Sequence, residues 1–102
     1  MLNKKEYIFE CSDGIKYSIP VEIIAQSMAR YYAEVDQISY EESYNNVVSL
    51  FNESDFEIED WARNNMDWSD VKEFSTIVSF DKKRIKMQEE WLNPQNIEIV
   101  RR

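Results

Sequence analysis

Glu6-Tyr7-Ile8-Phe9-Glu10-Cys11-Ser12-Asp13-Gly14-Ile15-Lys16-Tyr17-Ser18-Ile19 is the stretch that decides the fold. Polar and apolar residues alternate through Glu6 to Cys11 and again through Ile15 to Ile19, the period of a strand with one buried face. Between them Asp13-Gly14 supplies a residue that tolerates positive φ where a tight turn needs one, so the stretch reads as a β-hairpin. Pro20 follows at once. It suits a first helical position, because its missing N–H would be unpaired there anyway. Val21, Ile24, Ala25, Met28, Tyr31, Tyr32 and Val35 then recur at helical spacing and predict an amphipathic helix of roughly four turns. A hairpin running directly into a helix begins an α+β domain.

Two further helices are signalled by their starts. Ser39-Tyr40-Glu41-Glu42 has the spacing of a capping box, with Tyr40, Tyr44, Val47, Val48 and Phe51 as the stripe behind it. Ser54-Asp55-Phe56-Glu57 repeats the spacing and is followed by Ile58, Trp61 and Ala62. Asn64-Asn65 is a helix stop, since asparagine tolerates the left-handed conformation. Asp67 can cap one short turn around Trp68 to Val71. Phe74, Thr76, Val78 and Phe80 alternate with Ser75, Ile77 and Ser79 and predict a strand, one able to join the hairpin. Residues 81–92 admit either a helix or an extended arm, because their apolar positions make a poor stripe. Asn93-Pro94 ends that segment, and Ile97-Glu98-Ile99-Val100 reads as a short edge strand. The 102 residues thus form a single small domain. Residues 1–19 are the hairpin, 20–66 are helical, and 67–102 hold a turn, one or two strands and a C-terminal arm. About three helices pack with the strands.

Charge is the feature that bears on function. Between Glu34 and Asp70 there are eleven acidic residues and one basic residue, Arg63, within a chain of net charge −8. Such a field suits a basic protein surface or a cation and disfavours bare nucleic acid and anionic membrane. No apolar run approaches the roughly 18 residues of a membrane span, and the N-terminus does not read as a signal peptide. The chain has no histidine and one cysteine, Cys11. That removes His-assisted nucleophiles, the commonest general base and cysteine-rich zinc sites, and a lone thiol fits a reducing cytoplasm. No catalytic constellation remains, and no cofactor is expected.

The acidic block has a partial local explanation. Glu41, Glu42, Asp55 and Glu57 fall in predicted first turns, where the helix dipole favours negative charge. Glu34, Asp36, Glu53, Glu59, Asp60, Asp67 and Asp70 have no such reason, and each close pair of like charges on a helix costs a few tenths of a kcal/mol. Two readings stay open for them: a solvated surface, or a surface for a basic partner. As metal ligands Asp55, Glu57, Glu59 and Asp60 are poorly disposed, because Asp55 and Glu57 point about 200° apart on a helix. A calcium loop would also need a glycine at its bend, and Gly14 is the only glycine. Carboxylates three or four positions apart on a helix lie about 5–6 Å from each other. Rows such as Asp60, Asp67 and Asp70 can therefore imitate a phosphate track, although many acidic domains share that composition.

The aromatic residues have an ordinary role in packing. Tyr31, Tyr44, Phe51, Phe56 and Trp61 mostly occupy predicted core faces. Tyr31 and Tyr32, being adjacent, cannot both point fully inward. Trp61 and Trp68 would serve as interface anchors only if exposed beside the carboxylates. Lys82-Lys83-Arg84-Ile85-Lys86 is a basic patch too short to recommend nucleic-acid binding against the net charge. It can pair with the acidic block within the chain or across a homo-oligomer, in a salt-sensitive way.

The string Asp60-Trp61-Ala62-Arg63-Asn64-Asn65-Met66-Asp67-Trp68-Ser69-Asp70-Val71, with Pro20-Val21, Ala29-Arg30-Tyr31-Tyr32-Ala33-Glu34 and Glu90-Trp91, resembles a group of small accessory proteins of tailed bacteriophages and prophages. The resemblance covers most of the chain and brings no activity and no catalytic residues. It implies expression in a bacterial cytoplasm and a product that acts by binding a host protein. The reading is therefore a non-enzymatic acidic interaction protein. Its expected contact residues are Glu53, Glu59, Asp60, Trp61, Asp67, Trp68 and Asp70, and its expected partner is a basic surface such as that of a nucleic-acid-handling enzyme. The alternative is a structural or self-assembling accessory protein whose acids serve solubility.

Overall fold

The computed structural model describes residues 2, 5–79 and 87–101. Strands β1 (Lys5–Glu10) and β2 (Lys16–Pro20) form the hairpin, and α1 (Val21–Val35), α2 (Tyr40–Glu53) and α3 (Asp55–Asn65) follow. A short α4 (Trp68–Val71) runs through a 3-10 turn, Lys72–Phe74, into β3 (Thr76–Ser79). The short helix α5 (Met87–Leu92) and strand β4 (Asn96–Arg101) complete the described chain. The four strands make one antiparallel sheet in the order β3-β2-β1-β4. This is an α+β single domain. Among the described residues no helix is long and apolar enough to cross a membrane.

The hairpin turn is built as its residues require. The Gly14 N–H donates to the Cys11 carbonyl at 2.9 Å, and the Cys11 N–H donates to the Ile15 carbonyl at 2.9 Å. Gly14 holds φ 87°, where a β-carbon would clash, and the Ile15 N–H donates to the Asp13 carboxylate at 2.9 Å. Register then places Tyr7 beside Ile19 and Ile99, and Phe9 beside Tyr17 and Ile97. Cross-strand partners share a face, so these residues line the side of the sheet that meets the helices. Trp91 seals that side. Its ring lies 5.4 Å from Tyr7 and 5.2 Å from Phe9, and its indole N–H donates to the Met66 carbonyl at 2.9 Å.

Helices α1 and α2 approach closely where Ser43, small and buried, donates to the Ala29 carbonyl at 2.7 Å. The Tyr44 hydroxyl donates to both carboxylate oxygens of Glu22 at 2.6 Å, tying the first turn of α1 to α2. Ser39 caps α2, its hydroxyl accepting the Glu42 N–H at 3.1 Å.

Several expectations need correction. Pro20 ends β2 and precedes α1 instead of opening it, because it still pairs with Glu6 in the sheet. The Ser54 capping box does not form. One residue joins α2 to α3, and Ser54 spends its backbone N–H on the Leu50 carbonyl and its carbonyl on the Glu57 N–H, leaving no side-chain cap. Tyr31, Val35 and Tyr40 extend past the edge of the core and are exposed. Phe74 belongs to the 3-10 turn, so β3 starts later than the alternation suggests. Ile77 pairs with Tyr17 and Ser79 with Lys16, a bulge that breaks the simple alternation around Val78. Phe80 and the basic stretch 82–86 lie outside the described residues, as does the first half of the segment read as helix or arm.

Candidate functional site

The two tryptophans of the acidic stretch face inward. Trp61 is 8% exposed, between α1 and α3, and its indole N–H donates to the Ser27 hydroxyl at 3.1 Å. Trp68 is half-buried, its ring edge-on to Phe9 at 5.8 Å and to Tyr17 at 5.5 Å. Their packing roles are explicit, so neither supplies an exposed anchor beside the acids.

Asp67 and Asp70 are also engaged within the fold. The Asp67 N–H donates to the Asp70 carboxylate at 2.8 Å, the reach-back bond of a capping box at the start of α4. Gln88 of α5 then joins the same corner. Its amide donates to Asp67 at 3.0 Å while its oxygen accepts the Trp68 N–H at 2.9 Å. Of the seven carboxylates without a local reason, Asp70 thus closes the start of α4 and Asp67 ties α4 to α5.

The rest of the block gathers on α3 and its junction with α2. Phe56 is 67% exposed in the first turn of α3. Glu59 and Asp60 stand three and four positions further on, hence on the same helical face. Arg63 and Asn64 continue that face by one turn. Arg63 lies 3.5 Å from Glu59, so the only cation of the block is engaged locally, and the Asn64 amide donates to the Asp60 carboxylate at 2.9 Å. Glu53 and Asp55 flank Phe56 at the junction and are exposed. An exposed phenyl group on a helical face that also carries carboxylates is the arrangement expected of an interface anchor. Sequence reading assigned Phe56 to the core and missed it. The signal was available: Phe56 and Ile58 are two positions apart, about 200° around a helix, and cannot share a face.

Lys5 organises the underside of this junction. It is 7% exposed, and its ammonium donates to the Phe51 carbonyl at 3.1 Å and to Asp55 at 3.2 Å. Helix α2 has no basic residue in its own last turn. A lysine from β1 supplies the positive charge that its C-terminal carbonyls favour.

On the other flank of α3 lies a pocket of about 360 Å³ between α1, α2 and α3. Nearly buried Met28 and Val47 form its floor, Tyr32, Ile38 and Leu50 add apolar surface, and Asp36 and Glu57 are its carboxylates. The end of α1 shapes it. Gln37 adopts φ 55° and the Ile38 N–H donates to the Ala33 carbonyl at 3.1 Å, a Schellman-type termination. That turn folds Ile38 back toward Tyr32.

Titration perturbations fall elsewhere. Burial pushes the Cys11 thiol up to about 12, with Glu90, Asp13 and Glu10 adding to it. Burial, then the hydrogen bond to Glu22, pushes the Tyr44 phenol up to about 12. Neither group borders Phe56 or the pocket. Among the described residues no group of three or more Asp, Glu or Cys side chains is placed to hold a metal ion.

No protein-family model, no curated protein and no solved structure matches this chain.

Proposed function

We propose that this chain is a non-enzymatic interaction protein that binds a basic protein surface through the outer face of α3. The observation that carries the reading is Phe56, exposed on the face of α3 that also carries Glu59 and Asp60, and within one turn in sequence of the exposed Glu53 and Asp55. Burying one phenyl ring contributes roughly 1.5–3 kcal/mol, and the carboxylates steer a cationic partner and fix its register. A nucleic-acid-handling host or defence enzyme is the sharpest candidate for the partner, because its substrate channel must be basic. The resemblance of the Asp60 to Val71 string to small phage accessory proteins supports reading the partner as a host protein of a bacterial cytoplasm.

Immobilised protein would be challenged with bacterial lysate at low and high salt. The expected partner is basic, is released by salt, and is lost with Phe56→Ser or with Glu53→Gln/Asp60→Asn. Retention of the same partner by both variants overturns the reading.

A self-assembling accessory role is favoured by a different observation. Phe74, Ile77 and Val78 are all exposed around the edge strand β3, and an apolar sheet edge invites pairing with a second copy. Sedimentation at rising concentration separates the two readings. A dimer abolished by Ile77→Lys supports this one, whereas a monomer throughout rejects it.

A further inference from the structure

We infer that the pocket between α1, α2 and α3 receives an arginine side chain from the basic partner, seated beside the Phe56 face. This rests on the proposed acidic docking surface and specifies what the partner must present.

The pocket's chemistry is of two kinds. Its floor is aliphatic, from Met28, Val47 and Leu50, and its polar boundary is anionic, from Asp36 and Glu57, with no lysine or arginine among the described lining residues. The end of α1 adds to the negative potential. Tyr32 and Asp36 line the pocket, so the C-terminal turn of α1 borders it, and that turn contains no basic residue. Helix C-termini carry a partial negative charge that a cation satisfies. At the end of α2 that demand is met internally by Lys5, whereas at the end of α1 no described side chain meets it.

A fitting occupant therefore has an apolar stem and a cationic head. Lysine and arginine both qualify, since each packs its methylenes on apolar surface while presenting its charge. The pocket favours arginine. Its guanidinium can meet Asp36 and Glu57 through several donors and can lie against the Tyr32 ring, which a compact ammonium does less well. The Tyr32 ring packs against Trp61 at 5.9 Å and Tyr31 at 5.0 Å. At about 360 Å³ the space is at the small end of ligand pockets, suited to one side chain. Glu57 adjoins Phe56 in sequence, so one partner segment can cover the phenyl group and place an arginine in the pocket.

The test uses the full chain, isotope-labelled, titrated at low salt with hexa-arginine and with hexa-lysine while amide shifts are followed. Hexa-arginine is expected to shift the amides around Asp36, Ile38 and Val47 and to bind at least about fivefold tighter than hexa-lysine. Asn46→Trp, at an exposed lining position, plugs the pocket without changing charge. It is expected to lower hexa-arginine affinity about tenfold, close to 1.4 kcal/mol, and to leave hexa-lysine unaffected. Equal binding of both peptides, indifferent to Asn46→Trp but lost with Glu53→Gln/Asp60→Asn, overturns the pocket while the α3 face stands. Failure of both peptides to bind the unmodified chain overturns the acidic docking surface itself, and the pocket with it.

Discussion

Replacing Lys5 by methionine tests whether a strand lysine holds the α2–α3 junction. Methionine keeps an apolar stem of similar length, so the change chiefly removes the ammonium and its two bonds. The bond to the Phe51 carbonyl is buried and charge-assisted, a class contributing about 1.5–3 kcal/mol. The Asp55 partner is 59% exposed, so solvent screening reduces that pair to about 0–1 kcal/mol. Relief of burying the ammonium offsets part of the sum. The expected net loss is about 2 kcal/mol, or roughly 10 °C in melting temperature for a domain of this size. Urea denaturation followed by tryptophan fluorescence reads it directly. Asp55→Asn serves as the internal control and should cost less than about 1 kcal/mol. If Lys5→Met is neutral or stabilising, desolvation of the ammonium cancels both bonds, and the idea that Lys5 caps α2 fails.

Three further outcomes follow from particular residues. Gln37→Gly should stabilise by roughly 0.5–1 kcal/mol, since the left-handed conformation costs a side-chain-bearing residue about 1–2 kcal/mol and glycine returns part of that as unfolded-state entropy; a lower melting temperature would refute it. Trp91→Phe keeps an aromatic ring but strands the buried Met66 carbonyl, so the urea midpoint should fall by the equivalent of about 2–3 kcal/mol; a loss under about 1 kcal/mol would show that the indole N–H does little. Cys11 and Tyr44 hold their protons to about pH 12 in the folded chain, whereas the unfolded chain releases them from about pH 9 to 10. Their contribution is therefore present below pH 9 and lost as pH rises toward 12. Stability measured across that window should fall, and native Cys11 should resist iodoacetamide at pH 8; rapid alkylation there would contradict its burial.

The elements legible in the sequence were those whose cause is local. Alternation on both sides of Asp13-Gly14 specified the hairpin, because a period of two and one glycine with positive φ are properties of neighbouring residues. The stripe from Val21 to Met28 specified α1 in the same way. Elements held by distant partners were much less legible. Helix α5 has only six residues and too poor a stripe to announce itself. It is anchored by Trp91 on the Met66 carbonyl, by Gln88 on Asp67 and Trp68, and by Glu90 accepting the Ser12 N–H of the hairpin turn. None of those contacts leaves a mark within α5 itself. The Ser54 cap misled for the opposite reason: its motif was locally complete, but one serine had to end α2 as well as begin α3. At the candidate site the acids were visible and their division only partly so. Asp67 and Asp70 are set apart from Glu53 and Asp60 by the capping box at the start of α4, which the spacing of Asp67 before Trp68–Val71 announces locally, and by the Gln88 bond to Asp67, which that spacing does not.

That division carries the functional argument. Carboxylates engaged inside the fold are Glu22 with Tyr44, Asp55 with Lys5, and Asp67 and Asp70 at the start of α4. Glu34, Asp36 and Glu53 have no hydrogen bond or ion pair among the described residues, and Glu59 and Asp60 have only exposed partners. Glu34, Asp36 and Glu53 are exposed, so no contact among the described residues gives them a role in stability. Phe56 is likewise left in water, on the face of α3 that carries Glu59 and Asp60. On α3 the exposed ring stands about one turn from Glu59 and Asp60, and the proposed binding to a basic surface would give both a partner: cations for the carboxylates and apolar atoms for the ring. A surface evolved for solubility alone would explain the charges and leave Phe56 without a reason.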